Sequence, residues 1–250
     1  MTPLPADWLL PDWDAPGVGA LMTTRHGGVS RAPFESMNLR LEVGDDPLAV
    51  AANRELLAGA IGARPVWLDQ VHAATVLRLR EGIAPGGPAD ASIATEPGLV
   101  CAVQVADCLP VLFVADGARA VGAAHAGWRG LAGGVVEATL AAVCDAARCA
   151  PAQVQAWLGA GIGPASFEVG ADVLAAFSAE RPERFVPHAP GKWLADLPGL
   201  ARDRLAAAGV ERVSGGRWCT FVESSRFFSY RRNRITGRMA AAVWIEPGRV

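Results

Sequence analysis

Two long apolar runs meet near the middle of the chain, and they limit its fold more than any other feature. "GLVCAVQVADCLPVLFVAD" spans residues 98–116 and "GARAVGAAHAG" spans 117–127. They read as adjacent buried strands joined by a turn at Asp116–Gly117, where glycine supplies backbone angles that other residues resist. One irregularity breaks the first run: Asp107, Cys108 and then Pro110 interrupt "QVADCLPVLF". An acid and a thiol placed inside a buried strand call for partners from elsewhere in the chain.

The flanking segments supply the rest of the architecture. "GVGALMTTRHGGVSRAPFESMNL" reads as a short strand, a glycine turn and a polar loop. "DDPLAVAANRELLAGAIGA" reads as a helix: Asp45 or Asp46 caps it, Pro47 enters its first turn and Gly62 follows its end. "PVWLDQVHAATVLRLR" reads as a strand or strand pair, and "EGIAPGGPAD" as a loop. Downstream, "LAGGVVEATLAAVCDAAR", "GADVLAAFSAE" and "GLARDRLAAAGV" read as helices, the last closed by Gly209. "VQAWLGAGIGP" reads as a strand entering a glycine loop, and "RFFSYRRNRITGRMAAAVWI" as two strands around a turn at Thr236–Gly237. Strands and helices alternate in the middle, with hairpin-like pieces at both ends. The expected fold is α+β, with mixed β-sheets flanked by helices. No linker of Ser, Gly or Pro divides the sequence, so residues 1–250 are read as one domain.

Composition narrows the function. A net charge of −2 gives no reason to expect nucleic acid as the main partner. Arginine supplies the basic residues almost alone, with Lys192 the sole lysine, a bias that does not by itself mark an anion site. No apolar run reaches the roughly 18 residues needed to span a bilayer, so no membrane association is expected. The opening "MTPLPADWLLPDWDAPG" lacks a basic leader, and the five cysteines are odd in number with no CxxC pair. The expectation is a cytoplasmic protein with free thiols, working as a monomer.

Only four histidines exist, His26, His72, His125 and His188. His72 ends "VWLDQVH", His125 ends "AVGAAH" before Gly127, and Cys108 interrupts its own run. Side chains from separate strands converge where strands end. Imidazole and thiolate suit zinc, and three protein ligands leave an open position, the mark of a catalytic site. Asp107 would then orient a ligand or carry a proton. Taken singly, His72 and His125 also read as ordinary satisfied polar residues. Cys101, Cys144, Cys149 and Cys219 read as small core residues. A competing arrangement uses Cys108 and His125 as the nucleophile pair of a metal-independent cysteine hydrolase, leaving His72 unexplained. "GAGIGP", residues 159–164, reads as a tight turn, with anion binding through its N–H groups the rarer alternative. Arg226, Arg231, Arg232, Arg234 and Arg238 interleave with Phe227, Phe228 and Tyr230, either as a solvated face or as forked donors to a phosphate. Arg129 in "HAGWRG" stands at an expected helix start where an anion is welcome, and Arg25 beside Gly27–Gly28 is a weaker counterpart. A third reading makes the arginine–aromatic tail a nucleic-acid-binding module without catalysis.

"WLDQVHAATV", "ADCLPVLF", "AAHAGWRGLAGGVVEA", "AWLGAGIGPASFEVG" and "CTFVESSRFFSYRRNRITGRMAA" resemble, in order, the signatures of the YfiH-type or laccase-domain purine nucleoside phosphorylases. The resemblance runs from about Arg25 to near the C-terminus. It implies an α+β fold and zinc at His72, Cys108 and His125. It also implies phosphorolysis of adenosine, inosine and guanosine, cleavage of methylthioadenosine and hydrolytic deamination of adenosine. Arg25, Arg129 and Arg231 are the expected contacts for substrate and phosphate, with Asp107, Cys108 and Arg129 the expected catalytic group. The sequence departs from the family pattern in having "LGAGIGP" for the usual "LGPAIGP", which bears on loop shape and touches no expected ligand. The family once carried a multicopper oxidase label. Four histidines cannot furnish a blue-copper centre together with a trinuclear cluster, so copper is not the expected metal.

Overall fold

The computed structural model describes residues 5–82, 87–177 and 181–248. Along the chain come β1 (Val18–Met22), α1 (Pro47–Ile61), β2 (Pro65–Val66), β3 (Val76–Arg78), β4 (Ala91–Ala94), β5 (Val100–Val105), β6 (Leu109–Ala115) and β7 (Val121–Ala126). Then follow α2 (Trp128–Ala132), α3 (Val135–Ala147), β8 (Val154–Leu158), β9 (Glu168–Val169), α4 (Ala171–Phe177), β10 (Phe185–Ala189) and β11 (Lys192–Ala195). The last are α5 (Leu197–Ala207), β12 (Arg212–Gly215), α6 (Tyr230–Asn233) and β13 (Met239–Ile245). The expected helix over 47–61 forms as its ends dictate. Asp46 accepts from the Leu48 N–H at 2.9 Å, and Gly62 closes the helix at φ 83°.

The strands make a four-stranded sheet, β1-β13-β5-β2, a six-stranded sheet, β12-β8-β6-β7-β4-β3, and a small sheet, β10-β11-β9. Both large sheets are mixed: β2–β5, β3–β4 and β8–β12 pair parallel, the other neighbours antiparallel. Alternation along each strand assigns the layers. Cys101, Val103 and Val105 of β5 and Ala241 and Val243 of β13 face Leu112, Val114 and Ala123 of the larger sheet. The opposite residues of the smaller sheet, among them Val100, Ala102 and Ala242, pack on Leu57 and Ile61 of α1. The opposite face of the larger sheet, with Val111 and Phe113, packs on α3 and α5 through Leu140, Val143 and Leu205. The result is a helix–sheet–sheet–helix stack, an α+β arrangement.

Several sequence expectations are corrected. The run 98–116 is not one strand. It divides into β5 and β6, which belong to different sheets, and the chain crosses between them at 106–108, with Asp107 at φ 88°. The segment before β13 is not a strand: the arginine-rich stretch folds as a loop and the one-turn helix α6, capped by Ser229 Oγ accepting from the Arg232 N–H. The ends do not form local hairpins either, since β1 pairs with β13. The expected helix after His125 breaks at Gly133–Gly134 into α2 and α3, and "PVWLDQVHAATVLRLR" keeps only the short strands β2 and β3. Cys101 is buried, whereas Cys144, Cys149 and Cys219 are only partly so. Residues 83–86 of the expected loop and 178–180 of the expected helix after Gly170 lie outside the described residues. Among the described residues, no helix is long and apolar enough to cross a membrane.

Phe113 is fully buried at the centre of β6. Phe113→Ala is expected to lower unfolding stability by about 3–5 kcal/mol in denaturant titration. Leu48→Ala, at the exposed start of α1, is expected to change it by less than ~0.5 kcal/mol.

Candidate metal centre

The crossing between the sheets creates the site. β5 delivers the chain to Ala106, Asp107 turns it in the left-handed region, and Cys108 emerges at the start of β6. His125 lies near the end of the neighbouring β7, paired in register with Pro110, so its ring stands beside Cys108. His72 arrives from the irregular segment after β2, itself at φ 62°. The ligand atoms of His72, Cys108 and His125 lie within 4.8 Å of one another, the only such group of three among the described residues. The two imidazole rings meet edge to face at 4.8 Å.

A carboxylate that sequence reasoning missed holds this arrangement. Asp90, fully buried at the entrance of β4, accepts from the N–H groups of Val71 (3.1 Å), His72 (2.9 Å) and Ala73 (2.7 Å). Its Oδ1 also contacts His125 Nδ1 at 2.8 Å. An ionised carboxylate only accepts, so Nδ1 carries the proton and Nε2 is the ring's open nitrogen. Burial would raise the Asp90 pKa, but the bonds from His125 and from the 72–73 backbone outweigh it and hold it below the usual carboxylate range. Gln70 fastens the same segment to β5: its Nε2 donates to the Gln104 carbonyl at 2.9 Å, and its Oε1 accepts from the Gln104 N–H at 2.8 Å. An acid immediately before the apolar "ASIA" was the sequence signal for Asp90, the same kind of irregularity that marked Asp107.

The electrostatics favour a cation at the centre. Burial pushes the Cys108 thiol up, yet the rings of His125 and His72 outweigh burial and bring it down to about 6. Burial opposes the charged form of His125, while the Cys108 sulfur and Asp90 raise its pKa to about 9. Such a thiolate beside an imidazolium has a proton where a metal ion would take its place. Space agrees: a Cβ added at Gly127 would sit 2.8 Å from Cys108 Sγ and 3.2 Å from a His72 ring carbon. Two imidazoles and one thiolate, with a buried carboxylate behind one ring, fit a transition-metal ion.

Two chambers open on this group. The larger, about 420 Å³, is lined by His72, Cys108 and His125 and by Arg40, Gln104, Tyr230 and Arg238. The smaller, about 250 Å³, shares His72, Cys108 and Tyr230, and is walled by Trp128, Ile162, Phe167 and Leu197. Arg129, Arg231 and Arg234 also line the smaller chamber. Arg129 stacks on Trp128, 4.4 Å from its ring centre, and Arg231 donates to the Glu168 carbonyl at 2.7 Å. Asp107 reaches the smaller chamber with both carboxylate oxygens engaged, by Thr220 Oγ1 and by the Arg231 N–H, each at 2.6 Å. Arg25 lines neither chamber: its guanidinium donates to the carbonyls of Glu35 and Ser224, each at 3.0 Å. The glycine loop 159–163 packs against the crossing, with the Ile162 N–H engaged by the Asp107 carbonyl at 2.8 Å and Gly163 N–H facing Cys219 Sγ at 3.2 Å. Those N–H groups therefore serve packing, not an anion.

Asp90→Asn is expected to weaken metal binding by about 10–100-fold, as loss of a partner behind a ligating imidazole does. Competition against a chromophoric chelator measures it. Gly127→Ala is expected to lower affinity as well, by pushing a methyl group against the sulfur.

The family described as multi-copper polyphenol oxidoreductase laccase matches residues 19–246. A protein named purine nucleoside phosphorylase from Pseudomonas aeruginosa is 50% identical over 244 residues, covering 96% of this chain and 98% of its own. Purine nucleoside phosphorylase YfiH of Escherichia coli K12 is 48% identical over 243 residues, covering 95% and 98%. The crystal structure of a Neisseria meningitidis protein of the DUF152 family superposes with a TM-score of 0.91 at 45% identity, covering 96% of this chain and 100% of that one. With whole-length likeness in sequence and fold, the chain belongs to the laccase-like YfiH family.

Proposed function

We propose that the chain is a zinc-dependent purine nucleoside phosphorylase acting on adenosine, inosine, guanosine and methylthioadenosine, with a hydrolytic adenosine deaminase activity. The observation that carries this reading is the closure of His72, Cys108 and His125 within 4.8 Å at the meeting point of two chambers. The names of the relatives supply the substrate class, nucleoside and phosphate. Two imidazoles and a thiolate suit zinc, and three protein ligands leave a position for another oxygen. When bound, zinc supplies a Lewis acid beside the substrate.

The remaining work falls to the chain. Asp90 keeps the proton on His125 Nδ1 and so directs Nε2 inward. Gln70 and Asp90 together fix His72 against Cys108 before any substrate arrives. The smaller chamber's aromatic and aliphatic walls exclude water from a heterocycle. Phosphorolysis forms a bond from a phosphate oxygen to C1′ of the ribose as the C1′–N9 bond breaks. Deamination replaces the C6 amino group with an oxygen from water and releases ammonia.

Copper chemistry draws no support from the histidines. His26 contacts Asp7 at 2.9 Å and His188 faces Glu168 at 3.6 Å, leaving two imidazoles at the centre. We read the protein as a cytoplasmic monomer, where its five free thiols stay reduced. The lowered Cys108 pKa beside His125 favours one second reading, a metal-independent thiol hydrolase.

Cys108→Ala is expected to lose both bound zinc, by elemental analysis, and formation of adenine from adenosine plus phosphate, by chromatography. Full zinc with unchanged turnover would overturn the ligand assignment. Activity that vanishes on chelation and returns with zinc supports the phosphorylase. Activity that survives chelation and dies with a thiol alkylator points to the hydrolase.

A further inference from the structure

The two chambers differ in what surrounds their cations. In the larger, Arg238 is half-buried, and no carboxylate among the described residues pairs with it. Its NH1 donates only to the carbonyls of Thr236 (2.8 Å) and Gly237 (3.0 Å), and its guanidinium lies 5.6 Å from the Tyr230 ring centre. Arg40 lines the same chamber and pairs with Glu42 at 3.4 Å, a side chain exposed to water. Burial and the nearby Arg40 charge both pull the Arg238 pKa below its usual range. A half-buried guanidinium without a counter-charge is costly unless an anion completes the site.

The cations of the smaller chamber are placed differently. Arg129 and Arg234 are exposed to water and rest on the rings of Trp128 and Tyr230. Arg231 is half-buried, as Arg238 is, but rests over Phe167 at 5.4 Å with its NH1 donating to the Glu168 carbonyl at 2.7 Å. Arg129 and Arg234, being solvated, do not require a buried anion, and the walls of Trp128, Ile162, Phe167 and Leu197 favour an apolar ring system.

We propose that the chambers divide the substrates: Arg238 and Arg40 take the phosphate dianion in the larger one, and the purine occupies the smaller one. This rests on the phosphorylase reading above. His72, Cys108 and Tyr230 line both chambers, so the ribose lies where they join. Displacement at C1′ needs the entering oxygen and the departing base on opposite sides, and separate chambers for phosphate and purine allow that. The phosphate oxygen supplies the electron pair for the new C–O bond. The pair of the C1′–N9 bond leaves with the purine, which takes up one proton. Arg238 and Arg40 thus become specificity residues for phosphate.

The test is steady-state kinetics of the zinc-loaded enzyme, with inosine and inorganic phosphate varied independently. Arg238→Met is expected to raise KM for phosphate by about tenfold or more, the scale of one lost charge-assisted contact, and KM for inosine by far less. Arg238→Lys is expected to recover part of the loss. Arg40→Met, measured in parallel, is expected to give the same split should the Arg238 variants fold poorly. Trp128→Ala is expected to act the other way, raising KM for inosine. An unchanged phosphate KM in the Arg238 and Arg40 variants, or a phosphate KM raised instead by Arg231→Met, would overturn the division. Titration of the zinc-loaded protein with inorganic phosphate alone separates this from the activity. Arg238-dependent phosphate binding without nucleoside cleavage keeps the anion site and sinks the phosphorylase. Arg238-dependent binding of a nucleoside 5′-monophosphate, with none of inorganic phosphate, sinks the co-substrate role.

Discussion

One buried carboxylate joins the parts of this molecule that matter for its chemistry. Asp90 takes three backbone N–H groups of the segment 71–73 and the ring of His125 at once. Without those bonds, His72 would hang from a loop with no regular structure between β2 and β3. With them, a strained residue at φ 62° is held against two strands of a packed sheet. The burial of the carboxylate, which would be costly in isolation, is offset by four hydrogen bonds.

The second constraint is the crossing at Asp107. A sheet-on-sheet stack needs some strand to leave one sheet and enter the other, and here the change occurs within three residues. That abrupt turn opens the edge of the interior between the layers and presents Cys108 there. The carboxylate of Asp107 then anchors the opposite bank of the site, through Thr220 and the first turn of α6. Both its oxygens already accept short bonds, which describes a fastening more readily than a proton carrier.

Much of this was legible in the sequence, for identifiable reasons. Helix α1 announced itself because its cap, its proline and its terminal glycine are local signals. The three ligand candidates stood out because each breaks an apolar run or ends one. The division of 98–116 between two sheets was hidden, since burial makes both pieces equally apolar and one left-handed residue marks the join. The pairing of β1 with β13 was hidden for another reason: partners separated by more than two hundred residues leave no local pattern. The arginine-rich stretch misled because its aromatic residues resemble a strand, while the guanidinium of Arg232 is engaged by the carbonyls of Thr220, Phe221 and Phe227, bonds that only the tertiary fold supplies. Asp90 was overlooked as part of a loop, although an acid leading directly into a buried strand was visible.

The place of β13 in the four-stranded sheet carries a consequence for biosynthesis. It follows every other strand in sequence, yet it lies between β1 and β5 in the sheet. Until it emerges from the ribosome, those two strands each lack their shared neighbour and expose backbone that belongs in a ladder. The crossing that presents Cys108 starts from β5, so the sheet behind it is completed only when the last strand is made.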